Sequence, residues 1–422
     1  MTSHEQAHTQ FFGRSRRRQL FALAFLMFAV TVIPAARAQT YTVLHNFSGG
    51  QDGARPQATL AIDRAGNLYG TAPQGGTSDY GTVFKLTRYG SSFIFNPLYN
   101  FHGQYDGGAP IGPVTIAADG TLYGTTIEGG YFGGAYCSNG GCGTVFRLTP
   151  PPTTPPSPFT PWHETALYAF QAGSDGMAPY SPQLIFDQAG NLYGTTFQGG
   201  SDFGVVFAMT PYGGIWSESV LYNGFAPGFP GENPISGVVM DSAGNLFGTA
   251  SIGGAGGDGV VYELSLTQYG WVETLLHSFD NGADGGLPYG GLVMDSAGNL
   301  YGATQAGSHG AVVYELSPSN GEWNFQVLYH FASGVGPNAA LTLDAAGNLY
   351  GTTEDVGAHG AGMVFKLTNA NGVWTLTDLH DFSSGSGSYP YGGVTFDANG
   401  NLYGTTADGG ANGWGVVWEI TP

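Results

Sequence analysis

Carboxylates are the side chains of this sequence best placed to do chemistry. Asp-Gly pairs stand at Asp52, Asp106, Asp175 and Asp284, each ahead of an apolar run. Gly-rich segments add Asp79, Glu128, Asp202, Asp258, Asp355 and Asp408. Acidic oxygens gathered round one opening are what a hard cation such as calcium requires. Calcium is therefore the one cofactor considered, and otherwise none is expected. The competing reading, which carries more weight, is structural: Asp-Gly is a common turn dipeptide, and no calcium loop of D-x-D-x-D-G spacing is present.

Two histidines, His309 and His359, recur as His-Gly in successive repeats. They are weak metal candidates, since two imidazoles fall short of a full ligand set. Tyr80, Phe203 and Trp414 stand at equivalent positions, while most repeats lack an aromatic there. An aromatic face beside carboxylates would suit sugar stacking, with loop packing as the alternative. Cys137 and Cys142 lie close enough in sequence for a local disulfide, which an oxidising compartment would favour. Neither a G-x-S-x-G elbow nor an H-E-x-x-H pair appears. Glycoside hydrolysis needs two carboxylates at a set separation, and the sequence does not single out two among so many.

The elements that would position these residues come from a repeat. Gly-Asn-Leu-Tyr-Gly-Thr recurs with its Leu at Leu68, Leu122, Leu192, Leu246, Leu300, Leu349 and Leu402, at spacings of 49 to 70 residues. Six copies carry a turn acid five residues before that Leu: Asp63, Asp187, Asp241, Asp295, Asp344 and Asp397. Ala117 takes the place in the second. The longest interval holds the Cys loop and a Pro-rich insertion at about 150–161. Each unit reads as four short strands with no helical period. In the fifth these are Gly290 to Met294, Leu300 to Thr304, Ala311 to Leu316 and Trp323 to Phe331.

Seven such units predict an all-β, seven-bladed β-propeller with four strands per blade. The segment Tyr41 to Phe47 reads as a fourth strand with nothing before it, and Gly415 to Thr421 as a third strand with nothing after it. The N-terminal strand should therefore complete the last blade and close the ring, removing two aggregation-prone edges. Trp162, Trp216, Trp271, Trp323 and Trp374, with Phe93 in the first unit, recur five residues before the Leu of the fourth strand and read as packing residues. His45, His277 and His380 alternate with Tyr in that strand and read the same way.

Composition limits the function classes. Of 422 residues 72 are Gly, only 10% are charged and 14% are aromatic, which excludes intrinsic disorder. The net charge is −19, and Lys366 is the one basic side chain beyond residue 147. Nucleic-acid binding, which needs clustered Lys and Arg, is excluded. Residues 1–38 have the pattern of a signal peptide, with Arg14, Arg16, Arg17 and Arg18, an apolar run from Leu20 to Ile33, and Ala36-Arg37-Ala38 before the expected cleavage. The arginine stretch also permits twin-arginine export. Residues 39–422 are then one propeller domain, expected to be a secreted or periplasmic monomer without membrane insertion.

The repeated Gly-Asn-Leu-Tyr-Gly-Thr-Thr, the Gly-Gly loop, Gly-Thr-Val-Phe-Lys-Leu-Thr and Leu-Tyr-x-Phe resemble the GloVer tandem repeat over essentially all of residues 41–422. The resemblance implies an exported bacterial protein with no assigned activity. Many members carry a C-terminal anchor; with no such segment before Pro422, a soluble secreted or periplasmic product is the expectation here. The Pro-x-Gly-x-x-x-Asp-x-x-Gly-Asn-Leu-Tyr run is also similar to NHL-type propeller blades, which supports the fold alone. The function expected is a binding or scaffold module that engages an extracellular glycan, cation or protein through its loop face. The alternative is a lactonase, lyase or glycosidase using acids at the channel mouth, with or without calcium.

Overall fold

Seven small antiparallel sheets, each four strands wide, are arranged in a ring as a β-propeller. The computed structural model describes residues 39–131, 137, 140–152, 161–180, 183–201, 203–225, 231–332 and 334–421. Residues 1–38, where a signal peptide is expected, most of the Pro-rich insertion and Asp202 lie outside the described residues. Residues from Gln39 onward form one compact unit. Blade 1 pairs the strands Ala61–Ile62, Leu68–Ala72, Thr82–Tyr89 and Ser92–Asn100 in sequence order. Blades 2 to 6 repeat this order within residues 115–169, 185–222, 239–278, 293–330 and 342–381. Blade 3 adds a two-residue strand, Gly199–Gly200.

Blade 7 draws on both ends of the propeller. Thr40–Asn46 pairs antiparallel with Val416–Thr421, Tyr41 opposite Ile420, and stands as the outer strand beyond Leu402–Thr406 and Thr395–Phe396. The ring closes as its sequence predicts. At the joint with blade 1, Arg88 donates to Asp397 at 2.7 Å. Burial alone would raise the Asp397 pKa, yet the guanidinium and the turn's own donors hold it down at about 2.

The signature residues have distinct physical tasks. In blade 5 Asp295 accepts from the backbone N–H groups of Ala297 and Asn299, and from the Asn299 amide and the Tyr301 hydroxyl, at 2.8 to 3.2 Å. Those donors outweigh the burial that would raise its pKa, so it is lowered. Asp63, Asp187 and Asp344 make the same four bonds. The turn acids are hairpin anchors. The strand-two glycine faces an aromatic across the ladder: a Cβ on Gly404 would stand 2.3 Å from the Trp418 ring, and one on Gly70 2.5 Å from Phe84.

The first strand is shorter than its sequence predicts. In blade 5 only Val293–Met294 enters the ladder, whereas the apolar run begins at Gly290. The preceding backbone bonds sideways instead, Thr249 Oγ1 of blade 4 donating to the Gly290 carbonyl at 3.2 Å. The equivalent bond joins Thr71 to Gly112, Thr195 to Ser236, Thr352 to Gly392 and Thr405 to Ala58, at 2.7 to 3.0 Å. In blade 5 the position is Ala303, which has no hydroxyl to give. The third strand is longer, Val312–Ser319, because Asn320 and Gly321 take positive φ in a tight Asn-Gly hairpin.

Outer strands interlock with the next blade by matched pairs. His45 stacks on Phe95, His277 on Phe325 and His380 on Tyr41, each with ring centroids 3.8 Å apart. At Tyr99, Tyr168 and Tyr222 the next blade offers Glu instead: Tyr222 donates to Glu273, and the charges of Glu164 and Glu218 act on Tyr99 and Tyr168. The periodic aromatics pack between blades too, Trp216 on Tyr123, Trp323 on Phe247 and Phe93 on Tyr403. Burial, reinforced by Asp106 and Asp175 respectively, raises the pKa of Glu164 to about 8 and of Glu218 to about 7. Burial likewise raises that of Glu273.

Two tests probe this architecture. Deleting residues 39–46 exposes the edge of Val416–Thr421 and should cause aggregation; a deletion variant that stays dispersed with unchanged Tm would contradict closure. The raised glutamates stay protonated when folded but ionise near pH ~4.3 when unfolded. Their stabilising contribution is therefore complete below that pH and is lost as pH climbs toward 8. His45, His277 and His380, lowered mainly by burial, work in the opposite sense near neutrality. The clean measurement is a difference: the Tm of the double variant Glu164→Gln/Glu218→Gln should rise relative to wild type between pH 5 and 8. A constant offset would show that these carboxyls do not titrate as argued.

Candidate functional site: an asymmetric axial cavity

The approach to each first strand places one residue at the ring axis. The residue preceding a proline is left-handed in six blades although it is not glycine: Arg55, Ala109, Ala178, Asn233, Leu287 and Tyr389, with φ of 49 to 58°. Such backbone is strained, and the joint stabilises it, since each of these N–H groups donates to a carbonyl of the preceding blade. The residues that follow the prolines are Gln57, Ile111, Tyr180, Ile235, Tyr289, Asn338 and Tyr391, and all seven line one cavity of about 1040 Å³. The ends of second strands add Phe197, Gln305 and Glu354, and the first strands form a wall that includes Val239, Met240, Val293 and Met294.

The lining is lopsided although the blades are alike. Blades 2 to 4 present Ile111, Tyr180, Phe197 and Ile235 together with Gln183 and Ser236, and Tyr180 and Phe197 are in ring contact at 5.9 Å. Blades 5 to 7 and blade 1 present Tyr289, Gln305, Asn338, Glu354, Tyr391 and Gln57. Asn338 Nδ2 donates to Glu354 Oε2 at 2.7 Å, Gln305 Nε2 reaches the same oxygen at 3.4 Å, and the Tyr391 hydroxyl reaches Oε1 at 3.5 Å. Burial, then the Glu354 charge, pushes the Tyr391 pKa up to about 12. Glu354 is the single charged side chain among the described residues lining the cavity.

The acids singled out from sequence are occupied elsewhere. Asp106 accepts from Tyr99, His102 and two backbone N–H groups, and Asp175 from Tyr168 and two backbone N–H groups. Asp52 bonds His45 and Ser48, and Asp284 bonds His277 at 3.0 Å. Each fastens its own loop to the outer strand. Among the described residues no group of three or more His, Cys, Asp or Glu side chains could hold a metal ion. His309 and His359 are both exposed, and His309 contacts its neighbour Ser308.

The three loop aromatics stand at the blade joints. The carbonyls of Tyr80, Phe203 and Trp414 accept from Ala109, Asn233 and Arg55 of the following blade. Tyr80 is 38% and Trp414 40% exposed, but one face of each ring is covered: a Cβ on Gly103 would stand 2.3 Å from Tyr80, and one on Gly49 2.8 Å from Trp414. Phe203 is half-buried against the core of blade 4. Cys137 and Cys142 form a disulfide, with Cys142 at the equivalent joint in blade 2, where its carbonyl accepts from Ala178.

Sequence reading therefore named Asp355 and passed over its neighbour Glu354. The usable signal was positional. Across the repeats, the residues after the proline and after the second strand vary in size and polarity while their flanks stay constant.

Among solved structures, the chain is similar to a putative 6-phosphogluconolactonase from Bacteroides uniformis at 15% identity and a TM-score of 0.50, over 76% of this chain and 84% of that one. It is also similar to an ancestral GH74 enzyme at 13% identity and a TM-score of 0.52, over 87% of this chain and 48% of that one. At these identities the likeness shows a shared propeller fold. No curated protein matches the sequence. The Gloeobacter/Verrucomicrobia repeat profile matches residues 30–160, 135–336 and 311–422. With the profile repeated round the whole ring, the chain belongs to the Gloeobacter/Verrucomicrobia repeat family.

Proposed function

We propose that this protein is an exported binding module that takes a small soluble ligand, or the end of a glycan, into the axial cavity. One observation carries the reading: seven near-identical blades differ where they meet the axis, so that Gln305, Asn338 and the one lining carboxylate, Glu354, gather on one side while Ile111, Phe197 and Ile235 stand in other blades. A scaffold alone has no need of that difference. Apolar and aromatic walls with a few placed polar groups are the usual make-up of a ligand site. The signal-like residues 1–38 and the disulfide Cys137–Cys142 support an oxidising, extracytoplasmic location.

Hydrolysis is less well supported. The solved relatives named for lactonase and glycosidase chemistry share the fold at 15% identity or less, and fold alone does not carry activity. A glycosidase uses paired carboxylates, and the described lining offers Glu354 without a second.

Calorimetric screening of soluble sugars and small metabolites should find a ligand whose binding weakens about tenfold or more in Tyr289→Ala and Tyr180→Ala, with little change in Tm. Trp414→Ala should instead lower the Tm, because it uncovers Gly49, and leave affinity intact. The opposite pattern, affinity lost in Trp414→Ala and kept in the cavity variants, would move the site to the loop surface.

A further inference from the structure

The Glu354 side of the cavity has an unmet need that narrows the ligand class. Among the described residues Glu354 has no cation within reach of an ion pair, and no basic residue lines the cavity. Its neighbours Asn338, Gln305 and Tyr391 orient the carboxylate without neutralising it. Only the Asn338 bond, at 2.7 Å, has good length; those from Gln305 and Tyr391, at 3.4 and 3.5 Å, are at the limit of a hydrogen bond. Oε1 is thus nearly unserved. Beside it, Asn338 Oδ1 is buried with no partner at all. Glu354 Oε1 is thus an anionic acceptor with one weak donor, while Asn338 Oδ1 has no surface open to the cavity.

The natural complement of a carboxylate with a weakly served oxygen and no cation beside it is a group that brings several N–H donors and a positive charge. Tyr289 and Tyr391, from the blades on either side of Asn338, supply electron-rich rings of the kind that attract cations. The uniformly acidic chain, with net charge −19, would further concentrate a cation at the opening. Calcium is a poor complement, since it takes six to eight oxygens and this side brings one carboxylate.

Resting on the cavity reading above, we infer that the ligand presents a protonated amine to Glu354, held in place by Asn338, with its apolar or ring portion against Tyr180 and Phe197. The amine donates to Glu354 Oε1, which leaves the existing Asn338–Glu354 bond in place.

Calorimetric titration of the full-length protein with matched amine and alcohol probes tests this: benzylamine and benzyl alcohol, cyclohexylamine and cyclohexanol, glucosamine and glucose. In at least one pair the amine should bind about tenfold or more tightly than the alcohol, as a charge-assisted bond predicts. That preference should vanish in Glu354→Gln and persist in Trp414→Ala, with the Tm of each variant recorded to confirm folding. Equal binding within every pair, or an amine preference that survives Glu354→Gln, would overturn the inference. So would saturable calcium binding that Glu354→Gln abolishes. If alcohols bind as well as amines and both weaken in Tyr289→Ala, the cavity reading stands and only the amine is lost. If no probe binds, both fall.

Discussion

The hydrogen bond that a second-strand threonine gives to the next blade's inner carbonyl is the constraint on which the ring depends. Inner strands contribute two residues each to their ladders, so the backbone just before them would otherwise face the axis with open carbonyls. Thr71, Thr195, Thr249, Thr352 and Thr405 meet that need from the side, each worth roughly 1 kcal/mol net. The same bonds set the angle at which one blade meets the next. They also hold the residues after the prolines at the axis, where strained left-handed backbone delivers them.

The exception is informative. Blade 5 has Ala303 in place of the threonine, and the joint it forms with blade 6 is where Gln305, Asn338 and Glu354 gather. A regular inter-blade bond is given up at the place where the cavity acquires its charge. Natural proteins tend to break local rules at functional sites, and here a break in the repeat coincides with a group of polar side chains that the fold does not require.

Charge is otherwise put to structural use. Turn acids anchor hairpins, loop acids tie outer strands to their own loops, and buried glutamates meet tyrosines across joints. The outer-strand pairs differ from joint to joint, stacked imidazole on ring in three and tyrosine beside glutamate in three others. Such variation distinguishes neighbours that would otherwise be interchangeable, which matters in a repeat protein prone to inter-repeat misassembly. Most of the acids that look like ligands in the sequence are already committed to the scaffold.

The sequence alone determined the blade count, the four strands per blade and the closing of the ring by Thr40–Asn46. These follow from local pattern: a period near 54 residues, alternating β-branched and aromatic runs, Asp-x-x-Gly-Asn turns, and unmatched strands at the two ends. Tertiary structure decided which polar groups are free. Whether Asp106 is a ligand or a loop tie depends on Tyr99 and on backbone N–H groups whose positions the pattern does not specify. Glu354 gains its setting from Gln305, Asn338 and Tyr391, contributed by three different blades and separated by up to 86 residues in sequence. Each blade adds only a few side chains to the axis, so the cavity exists in no single repeat. It is formed when the ring closes and residues remote in the chain converge.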